Sequence, residues 1–153
     1  MSLLKSIVAL ALAVALAGCA NTSRISDDIH AEMGKIMVVT EKGRAEQLFR
    51  QEFERLVARH GISDAQYRLE TTIASTRGDN NMVMRVQYSL YDRENGTVLT
   101  SKTFSSSASI GGVSSTFGSD QATIHARERL SMNLAQKIYN HLILFFTQAK
   151  SNS

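Results

Sequence analysis

Met82-Val83-Met84-Arg85-Val86-Gln87-Tyr88-Ser89-Leu90-Tyr91-Asp92 alternates along its length. Met82, Met84, Val86, Tyr88 and Leu90 fall on one side, and Arg85, Gln87 and Ser89 on the other. A period of two marks a strand with one buried and one wet face. Glu94-Asn95-Gly96 follows, and its Asn-Gly pair is a hairpin signal because both residues tolerate the positive φ of a tight turn. Beyond it, Thr97 to Ser107 reads as another strand, with Val98, Leu99 and Phe104 among many Ser and Thr. Upstream, Arg77-Gly78-Asp79-Asn80-Asn81 has turn chemistry. Before that turn, Gln66 to Thr76 alternates again, with Tyr67, Leu69, Thr71 and Ile73 opposite Arg68, Glu70 and Thr72. Three such strands in a row predict an antiparallel meander with one apolar face and one charged, hydroxyl-rich face.

The period changes on either side. Ala45, Leu48, Phe49, Phe53, Leu56, Val57 and His60 recur at three- and four-residue spacings, and Gly61 stands where a helix C-terminal glycine belongs. This predicts a helix over 43–60. Before it, Lys35-Ile36-Met37-Val38-Val39-Thr40 is β-branched and of strand length. Its apolar residues fall on both faces, which suits a strand with neighbours on both sides or cover on both faces. After the meander, the Gly/Ser loop Ile110 to Gly118 leads to Ser119, placed as an N-cap, with Asp120 in the first turn. Ala126, Leu130, Leu134, Ile138, Leu142 and Phe145 then form the stripe of a long helix to about Gln148, supported by Ala135 and Phe146. At 1.5 Å per residue this helix would measure roughly 43 Å. The chain has no proline to interrupt these elements. The expected fold is a two-layer α+β domain of order β-α-β-β-β-α. It has a four-stranded mixed sheet, with the first strand entering by a crossover, and two helices on one face.

The N-terminus reads differently. Lys5 is followed by Ile7 to Ala17, nearly all Ile, Val, Leu and Ala, and then by Gly18 and Cys19, the only cysteine. The apolar run is shorter than the roughly 20 residues a spanning helix needs and fits a signal-peptide core. Leu16-Ala17-Gly18-Cys19 resembles the bacterial lipobox. The resemblance implies cleavage before Cys19, with a thioether-linked diacylglycerol and an acylated amine on that residue. Several chains on one residue exceed the two signals that stable anchoring needs. Ala20 follows, where an aspartate would resemble the inner-membrane retention signal of enteric bacteria. The expectation is an outer-membrane protein, lipid-anchored at Cys19 on the periplasmic side. Residues 1–18 are its signal peptide, 19–28 a polar tether and 29–153 a single domain.

Lys5 is the only charged residue of the signal. Of 17 basic and 14 acidic residues, 16 and 14 remain, a net of +2. That excludes a nucleic-acid-binding excess of charge. With the one cysteine acylated, neither a disulfide nor a thiol site is expected. His30, His60, His125 and His141 are scattered without ligand spacing, so no metal and no cofactor are expected. Ser105-Ser106-Ser107 and Ser114-Ser115 lack a nucleophile elbow, Gly111-Gly112 lacks a phosphate-loop lysine, and Asp27-Asp28 sits in the tether. The reading is therefore not an enzyme. What the chain offers is a polar sheet face with Arg68, Glu70, Thr72, Arg85, Gln87, Ser101 and Thr103. Arg77 in the first turn, with Arg85 and Lys102 on strands, could meet phosphates.

The order of these parts carries a resemblance. Tyr67-Arg68-Leu69-Glu70, Val86-Gln87-Tyr88-Ser89-Leu90-Tyr91-Asp92 with Asn95-Gly96 and Val98, and the helix segments Ala126-Arg127-Glu128-Arg129-Leu130 and Leu134-Ala135-Gln136-Lys137-Ile138 follow the lipobox in sequence. Together they resemble the LPS-assembly lipoprotein family, LptE, over about Ile36 to Leu142. The resemblance implies a subunit that plugs the LptD β-barrel and helps it fold. It also implies one that binds lipopolysaccharide and assists its delivery to the outer leaflet. Under it Arg77 is the leading lipopolysaccharide contact, with Arg85 and Lys102 as further candidates. Ser115-Thr116-Phe117-Gly118-Ser119, entering the last helix, lacks the basic residue that some relatives carry there. The alternative is a periplasmic regulatory lipoprotein acting on a cell-wall enzyme or an envelope transporter, since fold does not fix function.

Overall fold

The computed structural model describes residues 27–58, 61, 64–111 and 116–151. Residues 1–26, with the expected signal peptide, Cys19 and most of the expected tether, lie outside the described residues, as does His60. Helix α1 (Asp27–Met33) leads to β1 (Ile36–Thr40), α2 (Arg44–Ala58), β2 (Tyr67–Arg77), β3 (Asn81–Asp92), β4 (Val98–Ser109) and α3 (Thr116–Ser151). The strands lie in the order β1-β2-β3-β4. β1 runs parallel to β2, and the other pairs are antiparallel. The expected two-layer α+β architecture is therefore present, with a mixed four-stranded sheet covered on one face by helices.

The meander follows the alternation. Met82, Met84, Val86, Tyr88 and Leu90 are buried, as are Leu69 and Thr71 opposite them. The hairpin after β3 closes through Asp92 and Asn95. Asp92 Oδ1 accepts the Glu94 amide and Asn95 Oδ1 accepts the Thr97 amide, while Gly96 takes φ +71°. Just beyond it the register shifts. Leu90 faces Thr100 but Tyr91 faces Val98, so Leu99 is the extra residue of a bulge. The bulge turns Leu99 towards the core and leaves Val98 exposed.

Three features depart from the sequence reading. β1 is an edge strand covered on one side only. Ile36 and Val38 are buried, while Met37 and Val39 lie exposed on the open face. The last two residues of the tether expected over 19–28 belong to a helix, because α1 begins at Asp27. Two turns are too short to show a period, and this helix is fixed from outside itself. Ile29 and Met33 are buried, Lys150 of α3 pairs with Asp28 at 2.8 Å, and the Tyr67 hydroxyl donates to Glu32 at 2.8 Å. Burial opposes ionisation of Glu32, but hydrogen bonds from Lys35 and Tyr67 outweigh it and hold its pKa below the usual value. Tyr67 is pushed up to about 12 by burial and by the Glu32 bond, and so remains a donor. The third departure is Ser119, which is not the N-cap of the last helix. α3 begins at Thr116 and runs 36 residues, about 54 Å at 1.5 Å each. Ser119 Oγ is occupied by Arg77, and its carbonyl accepts from Thr123 Oγ1, so it sits inside the helix.

The stripe of α3 is spaced by four residues throughout: Ala126, Leu130, Leu134, Ile138, Leu142 and Phe146, all buried. Each step of four advances the stripe about 40° round a helix of 3.6 residues per turn, so five steps carry it through about 200°. The buried side therefore turns enough to meet both the sheet and α2. Ser131 reaches Met84 of β3, Tyr139 meets Phe53 of α2, and Phe146 meets Tyr67.

Gly34, between α1 and β1, is buried against another backbone. A Cβ added there would lie 2.4 Å from the Gly61 carbonyl oxygen. Neither backbone can yield without moving α1 or the α2–β2 connection. Gly34→Ala is expected to cost about 1–3 kcal/mol, the usual cost of overpacking. Thermal unfolding of the soluble domain measures it, and an unchanged melting temperature would refute this account of the contact.

Candidate functional site

The open sheet face carries the polar residues that the alternation assigns to it. Arg68 forms an ion pair with Glu70 at 3.2 Å and lies 4.9 Å from the centre of the Tyr91 ring. Arg85 stands on the same face, with Ala74 and Ser105 as its cross-strand neighbours. A shallow pocket of about 370 Å³ lies among Val39, Glu70, Thr72, Gln87 and Tyr91. With Met37 and Val39 of β1 and Val83 of β3 exposed, this face is polar with apolar spots. An apolar groove of about 500 Å³ runs between β1 and α2, lined by Ile36, Val38, Phe53 and Val57.

Arg77 and Lys102 lie on the other side of the sheet. Arg77 is opposite buried Met82, and Lys102 opposite buried Tyr88. Both therefore belong to the helix-covered face, at its rim. The Arg77 guanidinium donates to Ser119 Oγ at 2.6 Å and so sits at the start of α3. The Lys102 ammonium lies 5.4 Å from the Phe104 ring centre on the edge strand β4. Along β4, Lys102 is six residues from Ala108, the residue level with Met82 and Arg77. Six strand residues span about 20 Å. The three candidate cations thus do not converge. Arg85 is on the opposite face from Arg77, and Lys102 is half a strand away.

Arg77 and the start of the described chain occupy opposite ends. α1 docks where β2 begins, through Glu32 and Tyr67, and Arg77 ends that strand. Ten residue steps separate the two ends of β2, about 33 Å.

A constellation not singled out in the sequence lies under α3. The Tyr88 hydroxyl and His141 Nδ1 are 2.6 Å apart, and Phe104 packs against both rings. The signal was present, since Tyr88 and Phe104 share the inward parity and His141 follows Ile138 by three. The remaining polar groups dock helices. Lys137 donates to the Ser105 carbonyl, Ser106 Oγ to Asn133, and His125 lies 3.5 Å from Glu128. Among the described residues no group of three or more His, Cys, Asp or Glu could hold a metal ion. No described helix is long and apolar enough to cross a membrane.

The family model for lipopolysaccharide assembly, LptE, matches residues 35–142. The chain belongs to the LptE family. No curated protein matches it. Among solved structures, this LptE-family chain is similar to a Caulobacter crescentus CB15 protein described as a lipoprotein, at 21% identity and TM-score 0.68 over 80% of this chain and 97% of that one. It is similar to a minor lipoprotein of Acinetobacter baumannii, at 16% identity and TM-score 0.55 over 72% and 93%. It is also similar to rare lipoprotein B of Shewanella oneidensis, at 10% identity and TM-score 0.50 over 75% and 98%. At these identities the likeness is one of fold.

The Tyr88–His141 pair gives the domain a pH dependence. Burial first, and then the charge of Lys102, push the His141 pKa below its ordinary 6.5. The unfolded chain therefore binds a proton at this histidine more readily than the folded one. Its neutral form stabilises the fold fully above pH 6.5, and this contribution falls as pH drops from there through the folded pKa. In melting curves between pH 8 and 5, His141→Gln should flatten that acid-side decline. Identical slopes in variant and wild type would remove His141 as its source.

Proposed function

We propose that this LptE-family protein is the lipoprotein subunit of an outer-membrane LPS-assembly complex. Its acylated Cys19 anchors it to the periplasmic side, and it forms a complex with an LptD-like β-barrel. Within that complex it acts as plug and assembly aid, binding lipopolysaccharide and assisting its insertion. It works by binding and not by catalysis. The observation that carries this reading is the family match across both layers of the domain, residues 35–142. The surface supports it. The lumen of a large barrel is polar, so a plug needs a wet outer face around a dry core. The open sheet face, with its arginines, carboxylates and hydroxyls, has that character.

The geometry also suits an anchored plug. Eight residue steps from Cys19 to Asp27 reach at most roughly 27 Å. That holds the α1 end near the membrane surface and leaves the Arg77 end free to reach into the barrel. Arg77 is the cation best placed for a lipid phosphate. It lies at the tip of the domain, and its only side-chain hydrogen bond among the described residues goes to a neutral hydroxyl. A guanidinium can grip phosphate through two parallel bonds. Arg85 and Lys102, on another face and another level, would act separately if they bind at all.

Purification of the tagged full-length protein from detergent-extracted outer membranes should recover a β-barrel of the LptD kind. A protein recovered alone at native expression level would sink the proposal. Arg77→Asp should weaken binding of purified protein to lipopolysaccharide by about tenfold or more, the effect of losing one charge-assisted contact. Its melting temperature should stay within a degree or so of wild type, since the side chain is exposed. Unchanged binding would remove Arg77 from the site.

A further inference from the structure

The sheet is longer than its cover. β1 pairs with β2 only from Ile36–Tyr67 to Thr40–Thr71, and β2 runs on to Arg77. The Tyr67 amide donates towards β1, to the Lys35 carbonyl. Main-chain groups alternate in direction along a strand. The odd residues of β2 therefore aim their N–H and C=O at the β1 side, and the even ones aim at β3. This agrees with the Arg93 amide, on the β3 side, donating to the Gln66 carbonyl. Beyond Thr71 no described strand occupies the β1 side. Ile73, Ser75 and Arg77 thus present three donors and three acceptors in a row.

The same stretch lacks its second layer. Arg44, at the start of α2, meets Glu128 of α3 at 3.6 Å, and Phe53 meets Tyr139 further along. Phe117, Glu128 and Tyr139 are spaced by eleven, three helical turns, and so share one face of α3. That face is covered by α2 from Glu128 onward, and α2 does not reach back to Phe117. Phe117 is 75% exposed, and Ile124, on the same side, 43%. Ser75 is exposed too, although its parity is that of the covered face. A notch results, floored by half-buried Ile73, walled by Phe117 and Ile124, and edged by free main chain.

We propose that an extended segment of the barrel partner adds to this notch as a fifth strand in line with β1. It would bond to Ile73, Ser75 and Arg77 and place alternate apolar side chains against Phe117 and Ile124. This identity of the occupant rests on the proposed function. The alternating free donors and acceptors match those of a polypeptide main chain, as in strand addition generally. The new strand would continue the β1–β2 interface the fold already builds. The opposite edge of the sheet is not equivalent. On β4, Lys137 holds the Ser105 carbonyl and Lys102 puts a charge on the inner face, both of which discourage pairing.

Proline at Ser75 provides the test. It deletes an outward donor and none of the β2–β3 bonds, and proline is tolerated on such an edge. Ser75→Pro should melt with the wild type and lower recovery of the barrel about fivefold or more, as expected for one lost main-chain bond with its neighbours disturbed. Phe117→Ser, at an exposed position, should do likewise. Equal recovery of the barrel by wild type and both variants overturns the proposal while the complex itself stands. A variant that instead turns a dimer into a monomer, with the barrel still bound, overturns it in favour of a second copy. Amide exchange of the wild type in its own membranes supplies a readout without the barrel. Protection at residues 73, 75 and 77 relative to the isolated domain supports strand addition. If no barrel is recovered and these amides are protected, the barrel reading fails and strand addition by another chain stands. If they exchange freely, strand addition fails as well.

Discussion

Ala126, Leu130, Leu134, Ile138, Leu142 and Phe146 step along α3 four at a time, and the fold depends on how that stripe turns. A stripe that stayed on one side would bury the helix against the sheet alone. Turning through about 200°, it lets α3 contact β3, β4, α2 and α1. Burial of a Leu, Ile or Phe side chain contributes about 1.5–3 kcal/mol, so this one helix carries a large part of the stability. It also explains how two turns of α1 persist. Ile29 and Met33 have no period of their own to rely on, but the C-terminal end of α3 offers Lys150 to Asp28 and a surface to Met33.

Because α3 is shared among all the layers, the other elements need not match its length. α2 is 15 residues against 36, and β1 is 5 against the 12 of β3. The mismatch falls at one end. Near α1 the domain is closed, with Tyr67, Glu32, Phe146 and Lys150 in contact. Near Arg77 it is a three-stranded sheet under a bare helix. The end where the described chain begins is finished, and the far end is open to something else.

Most of this was legible in the sequence. The strict alternation of β3 set the two faces of the sheet, and the meander followed from two turns rich in Gly, Asn and Asp. The faces of the three candidate cations were readable as well. Lys102 shares parity with Phe104, Arg77 with Leu69 and Ile73, and Arg85 with Gln87, so their separation was already implied. The bulge at Leu99 was not legible, since it depends on how one hairpin meets the twist of its neighbours. Ser119 has the right chemistry for a cap, but Arg77, 42 residues away in sequence, takes its hydroxyl. β1 is apolar on both faces although the helices cover only one. Met37 and Val39 have no cover among the described residues.

That last point bears on how a plug could be assembled. A domain with a fully satisfied surface would enter a polar lumen reversibly and without preferred orientation. Among the described residues, four of the eight exposed large apolar side chains fall into two groups. Met37 and Val39 lie beside the open face near β1, and Phe117 and Ile124 lie beyond the reach of α2. Both groups flank the line that β1 draws along the sheet, one on each side of it. A partner seated along that line would bury both at once, and a partner seated along β4 would bury neither. Exposed apolar area is costly to leave in water, so such a partner would be oriented by where the sheet outruns its helices. Lipidation at Cys19 would then restrict which way the domain approaches, and the unpaired stretch of β2 would fix where it stops.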